Sequence, residues 1–461
     1  MIKRRDNIVQ KRDIWKYTIL SLGMLAVLSG CGNKNGLPET SAAEVEVKTT
    51  AAAVENGSDI TEDKRGEEES EAIHVNDSSA VVPYVIPLDK DVVYKEGVTI
   101  EVDENSPTGY VVTFAYKDAN AKSVGISSDN FYFYKENTGM YVRYTPYVWE
   151  PDMFYRCGER TYSATYVENM EKVGEDMWVI RLPLPNGIFF YQYCVDDKNI
   201  PDPANQAFTN PDGAVKPTKS VVYVPFDGTR QKADHSVITE KNEKAGEIVF
   251  DAYMDGETKR NLAVYLPYGY DANRKEAYKV IYASHGANGT EVDWIAKCGL
   301  NNIMDNLIAD GKAEPAVVVC MDQTGVEDPV VNQRENIKPY IEANYNVHSD
   351  KENIAYCGLS NGGSTTAKIY LDNPGEYGYY GIWSSAQSGD MEIENINGLD
   401  TAKVMVGIGR FDTARYDKAE DFYNRLVEKG VDAAFYTENA AHDWLFWAQM
   451  YEIFVRDILW K

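Results

Sequence analysis

Histidine is scarce in this chain. Five occur in 461 residues, at positions 74, 235, 285, 348 and 442, so any chemistry that needs an imidazole must draw on one of them. Cysteine is scarce too. Six in such a length do not make a disulfide scaffold. No Cys/His group has metal-ligand spacing, and neither a metal nor a cofactor is expected. Positive charge is in short supply: 46 Lys and Arg against 72 Asp and Glu give 46 − 72 = −26. That balance argues against nucleic acid as a partner, because phosphate tracking needs a basic surface. Long apolar runs are missing as well. The stretch from about 17 to 28 is shorter than the ~20 residues of a membrane-spanning helix. What remains is ample for folding: 44% of residues are hydrophobic, which excludes wholesale disorder. The 33 tyrosines lean toward exposed recognition of sugars or proteins. At about 150 residues per domain, the length admits two or three folded units.

The first 31 residues read as an address. Lys3-Arg4-Arg5 precedes the short apolar run, which is the layout of a secretory signal. The run ends in Leu28-Ser29-Gly30-Cys31, which resembles a bacterial lipobox. That resemblance implies cleavage before Cys31 and lipidation of its thiol, hence an extracytoplasmic lipoprotein held at a membrane. Residues 32–83 contain no Phe, Trp or Tyr and carry the acidic cluster Glu67-Glu68-Glu69. Such a segment cannot bury enough apolar surface to offset its ordering entropy, and a disordered acidic tether is expected.

From 84 to 230 the pattern is short and alternating. Stretches 111–116, 131–134, 178–182 and 188–193 read as strands, separated by turn signals such as Pro185-Asn186-Gly187. Spacing of this kind predicts an all-β sandwich. The aromatic cluster from Tyr144 to Tyr155 admits two readings: stacking on sugar rings, or packing against the neighbouring domain.

From 235 to 461 apolar runs alternate with helix-period segments. Runs at 262–266, 278–283, 315–320, 354–357, 380–383 and 404–408 read as strands, and 300–310, 332–345 and 363–370 as helices. This alternation predicts an α/β fold with a mostly parallel sheet covered on both faces.

Gly358-Leu359-Ser360-Asn361-Gly362 fits G-x-S-x-G, with a strand before it and a helix after it. The pattern describes a sharp turn that projects a serine hydroxyl above the sheet, with glycines where the chain passes close to itself. In the α/β-hydrolase order the acid and then the histidine follow the serine. His442 alone of the five histidines lies beyond Ser360, so it is the expected base. Asp412, just past the strand at 404–408, is the expected acid, with Asp390 and Asp417 as rivals. Oxyanion donors are expected from the amides of Asn361 and of Ala287, the latter in the loop His285-Gly286-Ala287-Asn288-Gly289. Trp294, Trp444 and Trp447 are candidates for a substrate pocket or for the core.

Several of these motifs together resemble a known family. His285-Gly286-x-x-Gly289, Asp293-Trp294, Gly358-Leu359-Ser360-Asn361-Gly362-Gly363 and His442-Asp443-Trp444-x-x-Trp447 are similar to esterase D-type α/β-hydrolases, in the branch of carbohydrate esterase family 1. The resemblance implies a feruloyl or acetylxylan esterase acting on acylated plant polysaccharide. One position departs from the pattern: Asn288 stands where the family often has a second glycine. The segment 177–195, with Pro201-Asp202-Pro203-Ala204-Asn205 after it, resembles the immunoglobulin-like, glycogen-binding-related module found before such esterases. The alternatives are an esterase for another acyl compound, such as a siderophore or thioester, and a non-catalytic glycan-binding lipoprotein.

Overall fold

The computed structural model describes residues 83–84, 86–137, 140–155, 165–211, 216–385 and 387–461. The expected signal segment with Cys31 and nearly all of the expected tether lie outside the described residues.

The N-terminal strands are β1 (Gly97–Val102), β2 (Tyr110–Lys117), β3 (Val124–Ser128), β4 (Phe133–Asn137), β5 (Met140–Tyr144), β6 (Phe154–Tyr155), β7 (Tyr166–Asn169), β8 (Glu171–Val173), β9 (Met177–Leu182), β10 (Gly187–Val195), β11 (Lys198–Ile200) and β12 (Ser220–Val224). They form one sheet in the order β1-β2-β9-β8 and a second in the order β11-β10-β3-β7, with β12 also on β10. Apolar residues of both sheets, among them Phe114, Ile180, Ile126 and Tyr191, share one core. Strands β5-β4-β6 make a small third sheet that the alternating pattern did not separate from the rest.

Strand β10 shows why its run is apolar on both faces. Phe189, Tyr191 and Tyr193 face the core between the sheets. Ile188 and Phe190, on the opposite face, join the core of the C-terminal half. The Pro201–Asn205 motif serves the fold: Asp202 Oδ2 accepts hydrogen bonds from the hydroxyls of Tyr191 and Tyr193 at 2.7 and 3.0 Å. Asn205 Nδ2 donates to the Tyr191 hydroxyl at 3.0 Å.

The C-terminal half is an eight-stranded sheet. Its strands are β13 (Glu247–Asp255), β14 (Thr258–Leu266), β15 (Lys279–Ser284), β16 (Ala316–Met321), β17 (Ile354–Leu359), β18 (Tyr379–Trp383), β19 (Lys403–Gly407) and β20 (Asp432–Tyr436). The order is β13-β14-β16-β15-β17-β18-β19-β20. The first hairpin is antiparallel and β15 onward is parallel, the arrangement of an α/β-hydrolase. Side chains of β16 alternate between the two faces: Val317, Val319 and Met321 pack on one side, Val318 and Cys320 on the other. Both faces are covered, which is why the run reads as continuously apolar. Edge strands β13 and β20 escaped the sequence reading because their residues are half-exposed and mixed in polarity.

The helices are α1 (Ser236–Thr239), α2 (Asp293–Ala296), α3 (Leu300–Ala309), α4 (Pro329–Asn332), α5 (Lys338–Asn344), α6 (Asn361–Asp372), α7 (Thr413–Glu428) and α8 (Trp444–Ile453). Helices α3 and α8 cover one face of the sheet. Helices α6 and α7 cover the other. Cys298, Cys320 and Cys357 are buried free thiols, and burial pushes each of them up from the usual thiol range. Cys194 is disulfide-bonded.

Candidate functional site

Ser360 sits at the turn between β17 and α6, with φ 54° and ψ −117°. A non-glycine residue in that region is strained by roughly 1–3 kcal/mol and persists only where its surroundings over-determine it. Here they do. The Ser360 amide donates to the Trp383 carbonyl at 2.9 Å, and the Ser364 amide donates back to the Ser360 carbonyl at 3.0 Å. The flanking glycines are required by crowding. A Cβ on Gly362 would lie 2.4 Å from the Ser284 carbonyl oxygen, and one on Gly358 would lie 2.4 Å from that of Gly362. The turn is therefore wedged against the end of β15, and the serine's backbone has no room to relax.

Asp412 and His442 meet because two loops are zipped together. The Arg410 amide donates to the Glu438 carbonyl and the Phe411 amide to that of Ala440, both at 2.9 Å. Across this seam His442 Nδ1 lies 2.7 Å from Asp412 Oδ2. Asp412 is fully buried. Its other oxygen, Oδ1, accepts from Arg415 Nη1 at 2.7 Å. Burial pushes the Asp412 carboxyl up, but the His442 hydrogen bond and the Arg415 charge outweigh it and leave the group below the usual carboxylate range. Asp412 is thus held as an anion, the state that orients an imidazole and stabilises imidazolium. The rivals sit elsewhere: Asp390 is an exposed partner of Lys418, and Asp417 lies on α7, outside the loop seam.

Trp447 braces the imidazole. Its ring stands edge-on to His442, with centroids 4.8 Å apart, and its Nε1 donates to Ser384 Oγ at 3.1 Å. Ser384 directly follows Trp383, whose carbonyl holds the Ser360 amide. The serine turn and the histidine loop therefore rest on the same two residues. No hydrogen bond joins the Ser360 hydroxyl to His442 among the described residues.

The loop after β15 abuts the serine. A Cβ on Gly286 would lie 3.2 Å from Ser360 Cβ. Neither the Ala287 nor the Asn361 amide donates a backbone hydrogen bond among the described residues, which leaves both open to a ligand. Asn288 adopts φ 57°, a left-handed conformation that asparagine tolerates, and so takes the position where the related pattern has glycine. His285 is a structural residue: the Gln323 amide donates to Nε2 at 3.1 Å, which leaves Nδ1–H to donate to the Gly286 carbonyl at 2.6 Å.

The three tryptophans divide. Trp294 offers no surface to a pocket: it is fully buried among the rings of Trp383, Trp444 and Tyr451. Trp447 touches the imidazole, and Trp444 is half-buried with Lys297 over its ring. Arg415 was missed in the sequence; its one signal was a cation three residues after the candidate acid. The aromatic cluster packs inward at two points. Trp149 is 5% exposed, and Phe154 stacks on Phe411, the neighbour of Asp412, with centroids 5.6 Å apart and planes 7° off parallel.

Comparison with known proteins bears on this geometry. Residues 254–450 match the Esterase family model. An endo-1,4-β-xylanase/feruloyl esterase of Xylanibacter ruminicola is 28% identical over 295 residues, which cover 59% of this chain and 38% of that protein. Endo-1,4-β-xylanase Y of Acetivibrio thermocellus is 32% identical over 144 residues, 28% of this chain and 13% of that protein. The chain thus spans well under half the length of either curated relative. Among solved structures, an enterobactin esterase from Shigella flexneri superposes with TM-score 0.49 at 14% identity, over 79% of this chain and 97% of that one. A ferulic acid esterase from Anaeromyces mucronatus gives TM-score 0.43 at 20% identity, over 49% and 95%. Residues 254–450 are thus similar to the Esterase family, over somewhat less than half of the chain, and that similarity supports a carboxylic ester hydrolase.

Proposed function

We propose that the protein is a serine esterase of carbohydrate esterase family 1 type that removes feruloyl or acetyl groups from xylan. The observation that carries this reading is the buried Asp412–His442 pair beside a serine held on a strained strand-to-helix turn. The xylanase and feruloyl esterase names of the curated relatives support the substrate class.

In the proposed reaction Ser360 Oγ attacks the ester carbonyl carbon as His442 Nε2 takes its proton. The hydroxyl first rotates about χ1 toward the imidazole; catalytic hydrogen bonds often tighten only once substrate is bound. The amides of Asn361 and Ala287 receive the developing oxyanion. Collapse of the tetrahedral adduct breaks the ester C–O bond, and imidazolium returns the proton to the departing sugar hydroxyl. Water then attacks the acyl-serine by the same path and releases the carboxylic acid. We read the N-terminal sheets as an immunoglobulin-like module and Cys31 as a lipid anchor that keeps the enzyme at an extracytoplasmic membrane face.

Release of ferulate or acetate from arabinoxylan tests the substrate. Ser360→Ala tests the mechanism, with an expected fall in kcat of about 10⁶-fold. Turnover in that variant at even a hundredth of the parent rate would remove Ser360 from the chemistry. Activity on siderophore or thioester substrates, with none on acylated xylan, would move the enzyme to another substrate class.

A further inference from the structure

The N-terminal sheets reach the candidate site at the residue next to its acid. Strand β6 is two residues long, and strand alternation sends its side chains opposite ways. Tyr155 turns into the core shared by the N-terminal sheets. There its ring meets Phe189 with centroids 5.2 Å apart, and its hydroxyl donates to the Ile188 carbonyl at 3.2 Å. Phe154 turns the other way and lays its ring on Phe411 of the C-terminal half, an offset stack of the kind aromatic pairs prefer. Tyr134, the cross-strand partner of Phe154 on β4, stacks on Phe154 in turn, with centroids 6.3 Å apart and planes 27° apart. Three rings thus link β4 to the acid loop. Strand β4 is itself held down: Phe133 is fully buried in the N-terminal core, and Lys135 pairs with Glu150 and Asp152.

Phe411 is placed to pass that contact on. It is buried, and its amide donates to the Ala440 carbonyl in the seam between the two loops. Its ring therefore fixes where the chain enters Asp412, while its amide ties that entry to the loop of His442. A second contact falls on the other member of the pair. Leu445, on α8 and three residues past His442, packs against the same N-terminal core. The N-terminal half thus holds the chain on either side of the Asp412–His442 hydrogen bond.

We propose that the N-terminal half is a working part of the catalytic site, and that Phe154 is a positioning residue that keeps Asp412 in line with His442 through Phe411. The inference rests on the esterase reading of Ser360, Asp412 and His442. Catalytic groups must be held within about 0.5 Å of the productive geometry, and a misplacement of about 1 Å from a distant change costs about 10²-fold in rate. Loss of the Phe154 ring uncovers a face of Phe411 and frees the acid loop to shift on that scale. The N-terminal sheets then act on the chemistry itself, in addition to any part they play in recognising substrate.

Steady-state hydrolysis of a chromogenic ester by the full chain, well below its unfolding midpoint, tests the assignment. Phe154→Ala is expected to lower kcat and kcat/KM together by at least about tenfold, the pattern of a loss felt only in the transition state. Phe154→Leu keeps most of the bulk and carries the test if the alanine variant does not fold; its loss is smaller but of the same kind. In an Asp412→Asn background, Phe154→Ala costs less than about twofold more, because groups that act as a unit are not additive. Phe114→Leu is the control. Phe114 is fully buried in the N-terminal core against Tyr191, with centroids 4.7 Å apart, so this variant lowers the unfolding midpoint and leaves kcat as in the parent. With an active parent, three results overturn this inference alone: kcat within about twofold of the parent in Phe154→Ala, an undiminished loss in the Asp412→Asn background, or the same loss in Phe114→Leu. A parent chain that hydrolyses no ester overturns the esterase reading and this inference with it.

Discussion

Asp412→Asn separates the roles of the buried carboxyl most sharply. In the parent protein Asp412 accepts from His442 Nδ1 on one oxygen and from Arg415 Nη1 on the other, both at 2.7 Å. Asparagine keeps the volume but has one acceptor oxygen and one donor amide. If the oxygen stays with Arg415, the amide faces Nδ1 and forces the proton onto Nε2, the wrong tautomer for a base. Loss of the correct tautomer costs about 10⁴ in kcat, or about 5 kcal/mol at 1.36 kcal/mol per tenfold. Folding also weakens. Breaking a buried pair from one side costs on the order of 3–5 kcal/mol, and since Arg415 retains 27% exposure, about 3 kcal/mol is expected. Steady-state hydrolysis of a chromogenic ester gives the first number, and urea denaturation gives the second. A variant that loses the stability but keeps kcat within about tenfold of the parent would refute the assignment of Asp412. Asp390→Asn is the matched control, with no expected effect on kcat.

Other outcomes follow from the same contacts. Arg415→Gln removes a cation and a hydrogen bond that help hold the Asp412 carboxyl below the usual carboxylate range, so that carboxyl moves up and kcat/KM falls by about tenfold, the scale of one lost buried hydrogen bond; Arg415→Lys recovers part of the loss, and an unchanged rate in Arg415→Gln would mean that Arg415 does not act through Asp412. Gly362→Ala places a methyl 2.4 Å from the Ser284 carbonyl oxygen, so the serine turn shifts and kcat falls by at least about tenfold; an unchanged rate would show that the turn can relax. Glu438 has a raised carboxyl, up to about 7, so the folded state holds a proton that the unfolded state releases above its own, lower value. Stability therefore declines as pH rises from about 4.5 to about 7, and Glu438→Gln flattens that decline in thermal scans across the window.

Much of the candidate site was legible along the chain because a tight serine turn is fixed by local geometry. Ser360 announces itself through two glycines that a Cβ would make impossible. His442 follows by position, since only one histidine lies beyond the serine. The inner strands showed as apolar runs because both of their faces are covered. Residues whose role depends on distant partners stayed hidden. Arg415 looks like any helix-face cation until α7 swings it onto Asp412, and Trp294 looks like a pocket wall until three other rings enclose it.

Composition, residue order and local crowding by themselves determined the parallel sheet, the serine turn and the one histidine that lies beyond it. Only the folded chain decided which aspartate faces His442, because that depends on backbone hydrogen bonds between loops about thirty residues apart. It also decided what the aromatic cluster does. Whether Trp149 and Phe154 face solvent or the partner sheet depends on how two layers meet, and that information lies in the packing rather than in any one segment.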